Sequence, residues 1–307
     1  IAAHESRVSR RIVVGVVAFR LCNALSLATQ FDPDEFYQND EVAHNLAFGY
    51  GVQTWEWRAR LRSYTPTLPL ALLFKVLGLL GADAPELVAR APRLLHAFVA
   101  AASDLTLWRA AALYFASEAA GRLALCCSLT SWFTWYCAVR SYTNCSEAAL
   151  TTALTLALLR SRTSASASTA SALLALAMLV RPTSLPLSAA LVLALAPRPL
   201  RLLPWRPALA TAVAGILVDV ALGGATSPMA FVRFNLLSGG ARYYGTHPWH
   251  WYASAAIPAL LGTHLPLVVY GALCSGRSVL PLLAPPMLYL LLHSLAAHKE
   301  LRFVLPT

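Results

Sequence analysis

Long apolar runs recur along the whole chain and constrain its fold more than any other feature of the sequence. Of the 307 residues, 58% are hydrophobic and only 12% are charged, whereas a soluble domain carries about 25% charged residues. A run of about 20 apolar residues crosses the hydrocarbon core of a bilayer as a helix. The chain is therefore placed among polytopic membrane proteins.

We predict an all-α polytopic membrane protein with about nine transmembrane helices, folded as a single transmembrane domain over residues 1–307. The apolar runs assigned as spans are 12–29, 94–115, 123–139, 148–159, 170–180, 183–196, 208–222, 253–270 and 279–293. Leu68–Leu80 is shorter than a span and is predicted as an interfacial helix that ends at Gly81.

Arginines before the first span predict a cytoplasmic N-terminus. The two long polar segments, 30–67 and 223–252, then form the first and second outer loops. The first residue is Ile1 and Thr307 ends an apolar run, so we expect the chain to be a fragment with a truncated C-terminus.

The net charge of +10 comes from 22 Arg and 2 Lys against 14 acidic residues. In a membrane protein such an excess of positive charge indicates cytoplasmic loops or binding of anionic lipid head groups, and not binding of nucleic acid. Several arginines nevertheless fall in the predicted outer loops, which indicates either an anionic ligand on that face or misassigned spans. They are Arg58, Arg60, Arg62, Arg90, Arg93, Arg140, Arg181, Arg233, Arg242 and Arg302. The six cysteines show no CxxC or zinc-like spacing and are interpreted as small packed hydrophobes.

The first outer loop holds six of the 14 acidic residues, within the stretch FDPDEFYQNDEVAHNLAFGYGVQTWEWRARLRSYTP. Carboxylates at a membrane surface are costly unless water, a cation or a ligand faces them. Asp34 and Glu35 can serve as a general base for a sugar hydroxyl or can hold a cation. An ordinary solvated loop is the alternative, and the residues alone leave it open.

Two later segments also carry polar groups on the predicted outer face. GGARYYGTHPWHWY, residues 239–252, contains His247 and His250, which suit hydrogen bonds to hydroxyls or phosphate better than a metal pair. An aromatic belt at the interface is the alternative. Arg181 and the HKELR tail at 298–302 are placed to meet a phosphate, unless they are plain flanking charges.

Five motifs in order resemble a known enzyme family. FDPDEFYQNDEVAHNLAFGYGVQTWEW with LRSY, then NCSE, RPTS, YGTHPWHWY and HKELRF are similar to landmarks of the glycosylphosphatidylinositol (GPI) mannosyltransferases that add the third mannose, in glycosyltransferase family 22. The resemblance covers nearly the whole chain. A compact middle rich in Ala and Leu departs from the pattern and leaves the acceptor contacts open.

The resemblance implies a GT-C-type membrane fold with a large first lumenal loop. It implies transfer of mannose from dolichyl-phosphate mannose to the GPI-anchor precursor, through an α-1,2 link, with inversion, at the lumenal face of the endoplasmic reticulum. The partners would be these two lipid substrates and membrane lipids, with no nucleic acid. Mannosyltransferases of asparagine-linked oligosaccharide assembly share the acidic loop and are the alternative.

On this interpretation Asp34 is the base, with Glu35 as its partner or alternative. The expected donor-phosphate and substrate ligands are Arg181, His247, His250, His298, Lys299, Arg302, Tyr244 and Trp249. The expected acceptor and sugar ligands are Gln38, Glu41, Trp55, Glu56, Trp57, Arg62 and Tyr64. We expect no cofactor and no obligatory metal, because a lipid monophosphate leaving group needs only protein cations.

Two other classes of protein remain open. A transporter would carry charged residues in mid-membrane, and Arg20, Asp104 and Arg109 are the main candidates. We do not expect these three residues to form a connected chain. A non-catalytic subunit of a lumenal complex is the other alternative.

Overall fold

The computed structural model describes residues 9–161, 163–196, 203–223, 230–231, 233–238, 240 and 244–307. These residues form helices and connecting turns, with no β-strand among them. The α-helices with described bounds are α1 (Arg10–Ser26), α2 (Glu41–Phe48), α3 (Trp55–Arg58), α4 (Leu68–Leu79), α5 (Pro85–Tyr114), α6 (Glu118–Thr130), α7 (Trp132–Cys137), α8 (Thr143–Leu159), α9 (Ser164–Val180), α10 (Leu185–Leu195), α11 (Trp205–Gly223), α12 (Ile257–Leu261), α13 (Leu265–Ser275) and α14 (Leu280–Leu295). Short helical turns at Phe36–Asp40 and Leu301–Val304 contribute to the site described below.

Local sequence signals explain several helix boundaries. The hydroxyls of Ser117, Ser131 and Thr163 accept hydrogen bonds from the first turns of α6, α7 and α9, which satisfies donors that a helix start leaves free. The predicted interfacial helix forms as α4 and is followed by Gly81 at φ 64°. The predicted break at Arg181-Pro182 also separates α9 from α10 because proline cannot continue the preceding helix.

Helix α5 is the centre of the first half of the bundle. With 30 residues it is about 45 Å long, and it packs against α1, α6 and α8. The contact with α6 is close because Gly121 faces Trp108, and a Cβ at Gly121 would lie 2.3 Å from the indole ring. A small residue at this point lets the two helix backbones approach.

A buried ion pair joins α1 to α5. The guanidinium of Arg20 meets Asp104 in two contacts of 2.6 and 3.0 Å, and Asn23 and Ser128 complete the group. Two of the three candidate mid-membrane charges, Arg20 and Asp104, thus form a pair with polar neighbours, whereas the expectation concerned a chain of all three. The group is internally satisfied, as buried charges must be.

The second half of the bundle is built around α8, which packs against α5, α9 and α10. Helix α9 contacts α11, and α10 contacts α14. The largest apolar cluster lies here, where Leu154, Leu158, Leu187 and Tyr289 are all nearly inaccessible.

Among the described residues, two helical segments are long and apolar enough to cross a membrane, Trp205–Gly223 and Tyr252–Leu295. Most of their large apolar side chains are exposed, which suits a lipid-facing surface. The second segment is interrupted at Gly262 and Gly276, with φ of 48° and 56°. The run 253–270, predicted as one span, is therefore divided between α12 and α13, because glycine adopts these left-handed angles easily. The count of nine spans stays a prediction.

Candidate active site

The acidic loop begins with a turn that fixes the direction of its second carboxylate. Phe31 packs edge-on against Tyr136, with ring centroids 5.4 Å apart. The side chain of Asp32 accepts a hydrogen bond of 2.9 Å from the backbone N–H of Asp34, as short acidic residues do at turns. Asp34 is thereby held just before the start of the helical turn Phe36–Asp40.

The Asp34 carboxylate joins the acidic loop to the HKELR tail. Its Oδ2 lies 2.5 Å from Nη2 of Arg302 and accepts a hydrogen bond from the amide of Gln38. Arg302 forms two more ion pairs, with Asp32 at 3.5 Å and with Glu300. The two motifs that the sequence analysis singled out independently are thus in direct contact.

Burial and charge set the protonation behaviour of this pair. Burial raises the pKa of Asp34 above its ordinary value of 3.8, while Arg302 opposes that shift. The carboxylates of Glu300, Asp34 and Asp32 raise the pKa of Arg302 although burial opposes them, so Arg302 stays charged. A carboxylate with a raised pKa is a stronger base than an ordinary aspartate.

Glu35, the neighbouring carboxylate, is directed away from this group. It is 1% exposed and pairs with Arg93 at 3.1 Å and with Arg140 at 2.7 Å. Arg140 also donates to the carbonyl of Thr29. These contacts fix the start of the loop to α5 and to the segment between α7 and α8. We assign Glu35 a structural part, because a buried carboxylate held by two guanidiniums is not open to a substrate.

A second polar group lies beside Asp34. Arg62 binds Glu56 through two hydrogen bonds of 3.1 Å, and the hydroxyl of Tyr244 donates to Glu56 at 2.8 Å. Trp55 stacks on Tyr244 with ring centroids 6.5 Å apart. Burial and the hydrogen bond to Glu56 raise the pKa of Tyr244, so its hydroxyl stays protonated. An aromatic platform beside paired charges suits a sugar ring.

Arg181 brings the RPTS and NCSE motifs to the same place. Its Nη1 donates to Thr143 and to Asn144, each at 3.0 Å, and its Nε lies 3.1 Å from Glu147. Arg181 and Arg62 line a narrow cleft together with Gln38. In this structure the cleft has about 20 Å³ of open space, roughly the room for one water molecule.

A wider cleft of about 250 Å³ includes Arg302, the partner of Asp34, in its wall. Asp32, His247, Lys299 and Arg302 line it, and the ring of His247 stacks on Trp251 with centroids 4.5 Å apart. The ammonium of Lys299 donates to the carbonyls of His247 and Ala296, which leaves one of its three donors. Asp34 thus contacts one residue from the wall of each cleft, Gln38 of the narrow one and Arg302 of the wide one.

Other predicted site residues lie outside this group. Glu41 accepts a hydrogen bond from the backbone of Val52, and Trp57 and Tyr64 are buried against each other, although Trp57 contributes to the wall of the narrow cleft. His250 faces Ser254 at the surface, and Trp249 is 72% exposed. The predicted second outer loop lies only partly within the described residues, since 224–229, 232, 239 and 241–243 fall outside them.

The structure corrects the interpretation of the outer arginines. Many of them are neutralised by carboxylates of the protein itself, so their number does not by itself indicate an anionic ligand. The pairs are Arg62–Glu56, Arg93–Glu35, Arg140–Glu35, Arg181–Glu147 and Arg302–Asp34. Arg233 is exposed, and Arg242 lies outside the described residues. A phosphate would have to share or replace a carboxylate at one of these guanidiniums.

Sequence reasoning missed three acidic residues that organise the site: Asp32, Glu147 and Glu300. Each lies within a quoted motif, beside residues that were chosen for their positive charge or as bases. Their pairing with distant arginines is visible only in three dimensions. Among the described residues, no group of three or more His, Cys, Asp or Glu side chains is arranged to hold a metal ion.

Comparisons with known proteins extend over nearly the whole chain. GPI alpha-1,2-mannosyltransferase 3 of Bos taurus is 37% identical over 321 residues, covering 96% of this chain and 56% of the relative. The protein of the same name from Mus musculus is 37% identical over 339 residues, covering 100% of this chain and 59% of the relative. Mannosyltransferase APTG1 of Arabidopsis thaliana is 36% identical over 312 residues, covering 97% of this chain and 56% of the relative.

The chain spans a little over half the length of these curated relatives. No solved structure matches it. Residues 11–307 match the sequence profile of the Alg9-like mannosyltransferase family. The matched region contains both the acidic loop with Asp34 and the tail with Arg302. Coverage of this extent shows that the chain belongs to the Alg9-like mannosyltransferase family.

Proposed function

We propose that this chain carries the catalytic centre of a GPI mannosyltransferase. It transfers mannose from dolichyl-phosphate mannose to the GPI-anchor precursor, as the third mannose and through an α-1,2 link, at the lumenal face of the endoplasmic reticulum. The observation that carries the proposal is the contact of Asp34 with Arg302, which places a base beside a cation in the wall of the wide cleft. The names of the relatives support the substrate assignment.

The proposed chemistry is a single displacement with inversion. Asp34 takes the proton of the acceptor hydroxyl as its oxygen forms a bond to C1 of mannose. The bond from C1 to the phosphate oxygen breaks, and its electron pair leaves with dolichyl phosphate. Arg302 and Arg181 stabilise the charge that develops on the departing phosphate. Glu56, Arg62 and the Trp55–Tyr244 stack form the wall against which a sugar ring lies.

We further propose that the full protein crosses the membrane about nine times in a GT-C-type fold. The segment 30–67 and the segment 223–252 are then lumenal, and the exposed apolar faces of α11, α13 and α14 contact lipid. The contacts of Asp34 with Arg302 and of Glu35 with Arg140 support this arrangement, because they join segments that we predict on one side of the bilayer.

Asp34→Asn tests the proposal directly. The change removes the base but keeps the size and polarity of the side chain, so we expect transfer to fall about 10²–10⁴-fold. The measurement is restoration of GPI-anchored proteins at the surface of cells that lack the third GPI mannose, using the full-length protein. Asp83→Asn, at an exposed carboxylate before α5, is the matched control. Near-normal rescue by Asp34→Asn would refute Asp34 as the base.

No metal is required in this scheme, because Arg302 and Arg181 supply the positive charge that a phosphate leaving group needs. We expect mannosyl transfer to persist when divalent cations are removed with EDTA from washed membranes. The measurement is the initial rate of transfer with and without the chelator. Loss of transfer that returns with added Mn²⁺ or Mg²⁺ would contradict the scheme.

A precursor of asparagine-linked oligosaccharides is the second candidate acceptor. The matching family is described as Alg9-like mannosyltransferases, without mention of GPI, and the described site shows no residue that distinguishes the two acceptors. Cells that lack the GPI step and cells that lack an oligosaccharide step separate the candidates. Rescue only of the oligosaccharide defect would replace our assignment.

A further inference from the structure

Glu300 lies between His298 and Arg302 of the HKELR tail. Its Oε1 is 2.7 Å from Nε2 of His298, and its Oε2 pairs with Nε of Arg302. The other ring nitrogen of His298 lies 3.2 Å from the carbonyl oxygen of Gly245. Burial acts to raise the pKa of Glu300, but the hydrogen bonds and charges of His298 and Arg302 lower it to about 2. Glu300 is therefore charged at every pH at which the enzyme works.

Glu300 and Asp34 compete for the same guanidinium. Arg302 uses Nη2 for Asp34 and Nε for Glu300, and a third contact reaches Asp32. A guanidinium that is shared among several carboxylates neutralises each of them less than it would neutralise one alone.

The other groups around Asp34 come from several elements. Asp32 raises its pKa, whereas Arg62 lowers it. Gln38 donates to it from the turn after the loop start. Tyr244 lies close enough to Asp34 for the Asp34 charge to raise the pKa of Tyr244, and the Tyr244 hydroxyl is protonated. Of these groups only Asp32 also pairs with Arg302, at 3.5 Å, which is a longer contact than the one that Glu300 makes.

Resting on the function proposed above, we infer that Glu300 is a positioning residue that holds Arg302 between the base and the donor phosphate. By taking part of the charge of Arg302, Glu300 leaves Asp34 basic enough to accept a proton. It also keeps the tail from binding the lipid phosphate product too tightly. Glu300 also lines the wide cleft, but on this inference it acts on Asp34 through Arg302.

Glu300→Gln has a signature that a loss of folding does not produce. Without the competing carboxylate, Arg302 pairs more strongly with Asp34 and is more exposed to phosphate. We expect kcat to fall, the acid limb of kcat/KM to move about 0.5–1 pH unit lower, and a lipid monophosphate to bind roughly tenfold more tightly. Glu300→Asp restores the charge and should return each quantity toward the wild-type value.

Two measurements on the purified full-length protein test the inference. One is the pH dependence of mannosyl transfer, and the other is binding of a short-chain dolichyl monophosphate, followed by tryptophan fluorescence since Trp251 lines the wide cleft. Glu86→Gln, at an exposed carboxylate in the first turn of α5, is the control for loss of one negative charge.

The outcomes separate this inference from the proposed function. Tighter phosphate binding with a lowered acid limb in Glu300→Gln supports the positioning role. If Glu300→Gln leaves both the acid limb of kcat/KM and the affinity for the lipid phosphate unchanged, or binds the phosphate more weakly, the positioning role is refuted. The proposed function then still stands, provided that the wild type transfers mannose. If the wild type neither transfers mannose nor binds the lipid phosphate, the function itself is wrong and the inference falls with it.

Discussion

At the residue scale, two adjacent carboxylates have different surroundings and therefore different uses. Glu35 is held by Arg93 and Arg140 in a closed group, whereas Asp34 is bound to Arg302 and Gln38 and its side chain is 29% exposed. The residue type is nearly the same in both cases. The partners decide which carboxylate is open to an acceptor hydroxyl.

The raised pKa of Asp34 predicts the pH dependence of the enzyme. The base must be ionised, so transfer is lost as the pH falls through the pKa of Asp34. Because burial raises that pKa above 3.8, the acid limb of kcat/KM should lie above the pH expected for an ordinary aspartate. The limb is measured from initial rates in a series of buffers. A limb at or below the ordinary aspartate value would contradict the role of Asp34.

At the scale of helices, the pair of Arg20 and Asp104 is the principal polar link between α1 and α5. Arg20 is fully buried and Asp104 is 3% exposed, so neither charge has water to replace its partner. Buried pairs of this kind stabilise little relative to apolar residues, but breaking one leaves an uncompensated charge. The pair is therefore better understood as fixing the register of two helices than as a source of stability.

We expect Arg20→Met to lower the free energy of unfolding by about 3–5 kcal/mol. The double variant Arg20→Met with Asp104→Leu should recover much of that loss, because it removes both charges. Thermal unfolding of the protein in detergent, followed by tryptophan fluorescence, measures the difference. Equal destabilisation in the single and double variants would show that the pair contributes through shape and not through charge.

At the scale of the whole molecule, the segments predicted on the outer face meet at one end of the bundle. The acidic loop, the start of α8, the break after α9 and the HKELR tail are joined by Arg140, Arg181 and Arg302. Tyr114, at the predicted inner end of the span 94–115, also donates a hydrogen bond to the carbonyl of Ser278, in a segment predicted on the inner side. Both sets of contacts join segments that the pattern of apolar runs predicts on the same side of the membrane.

Cysteine labelling tests which side of the membrane each of these segments faces. In a variant without its native cysteines, Asp83→Cys should react with a membrane-impermeant maleimide only after sealed microsomes are opened, because we place it in the lumen. Arg277→Cys, an exposed position between α13 and α14, should react in sealed microsomes. Labelling of both positions from the same side would overturn the proposed topology.

Several features of the chain follow from local sequence alone. The helical class, the end of α4 before Gly81 and the break at Arg181-Pro182 depend on apolar composition and on the backbone limits of glycine and proline, which act over a few residues. The motifs around Asp34 and Arg302 could likewise be recognised in the sequence, because each is a compact run.

Only the tertiary structure decided how these motifs are paired. Nothing in the local sequence indicates that Arg302 meets Asp34, that Arg140 and Arg93 enclose Glu35, or that Glu300 shares a guanidinium with the base. Opposite charges attract whichever partner the packing brings near, and in a buried setting each must find one. The sequence by itself therefore determined which groups could take part in the chemistry, and helix packing determined which of them remain open to a substrate.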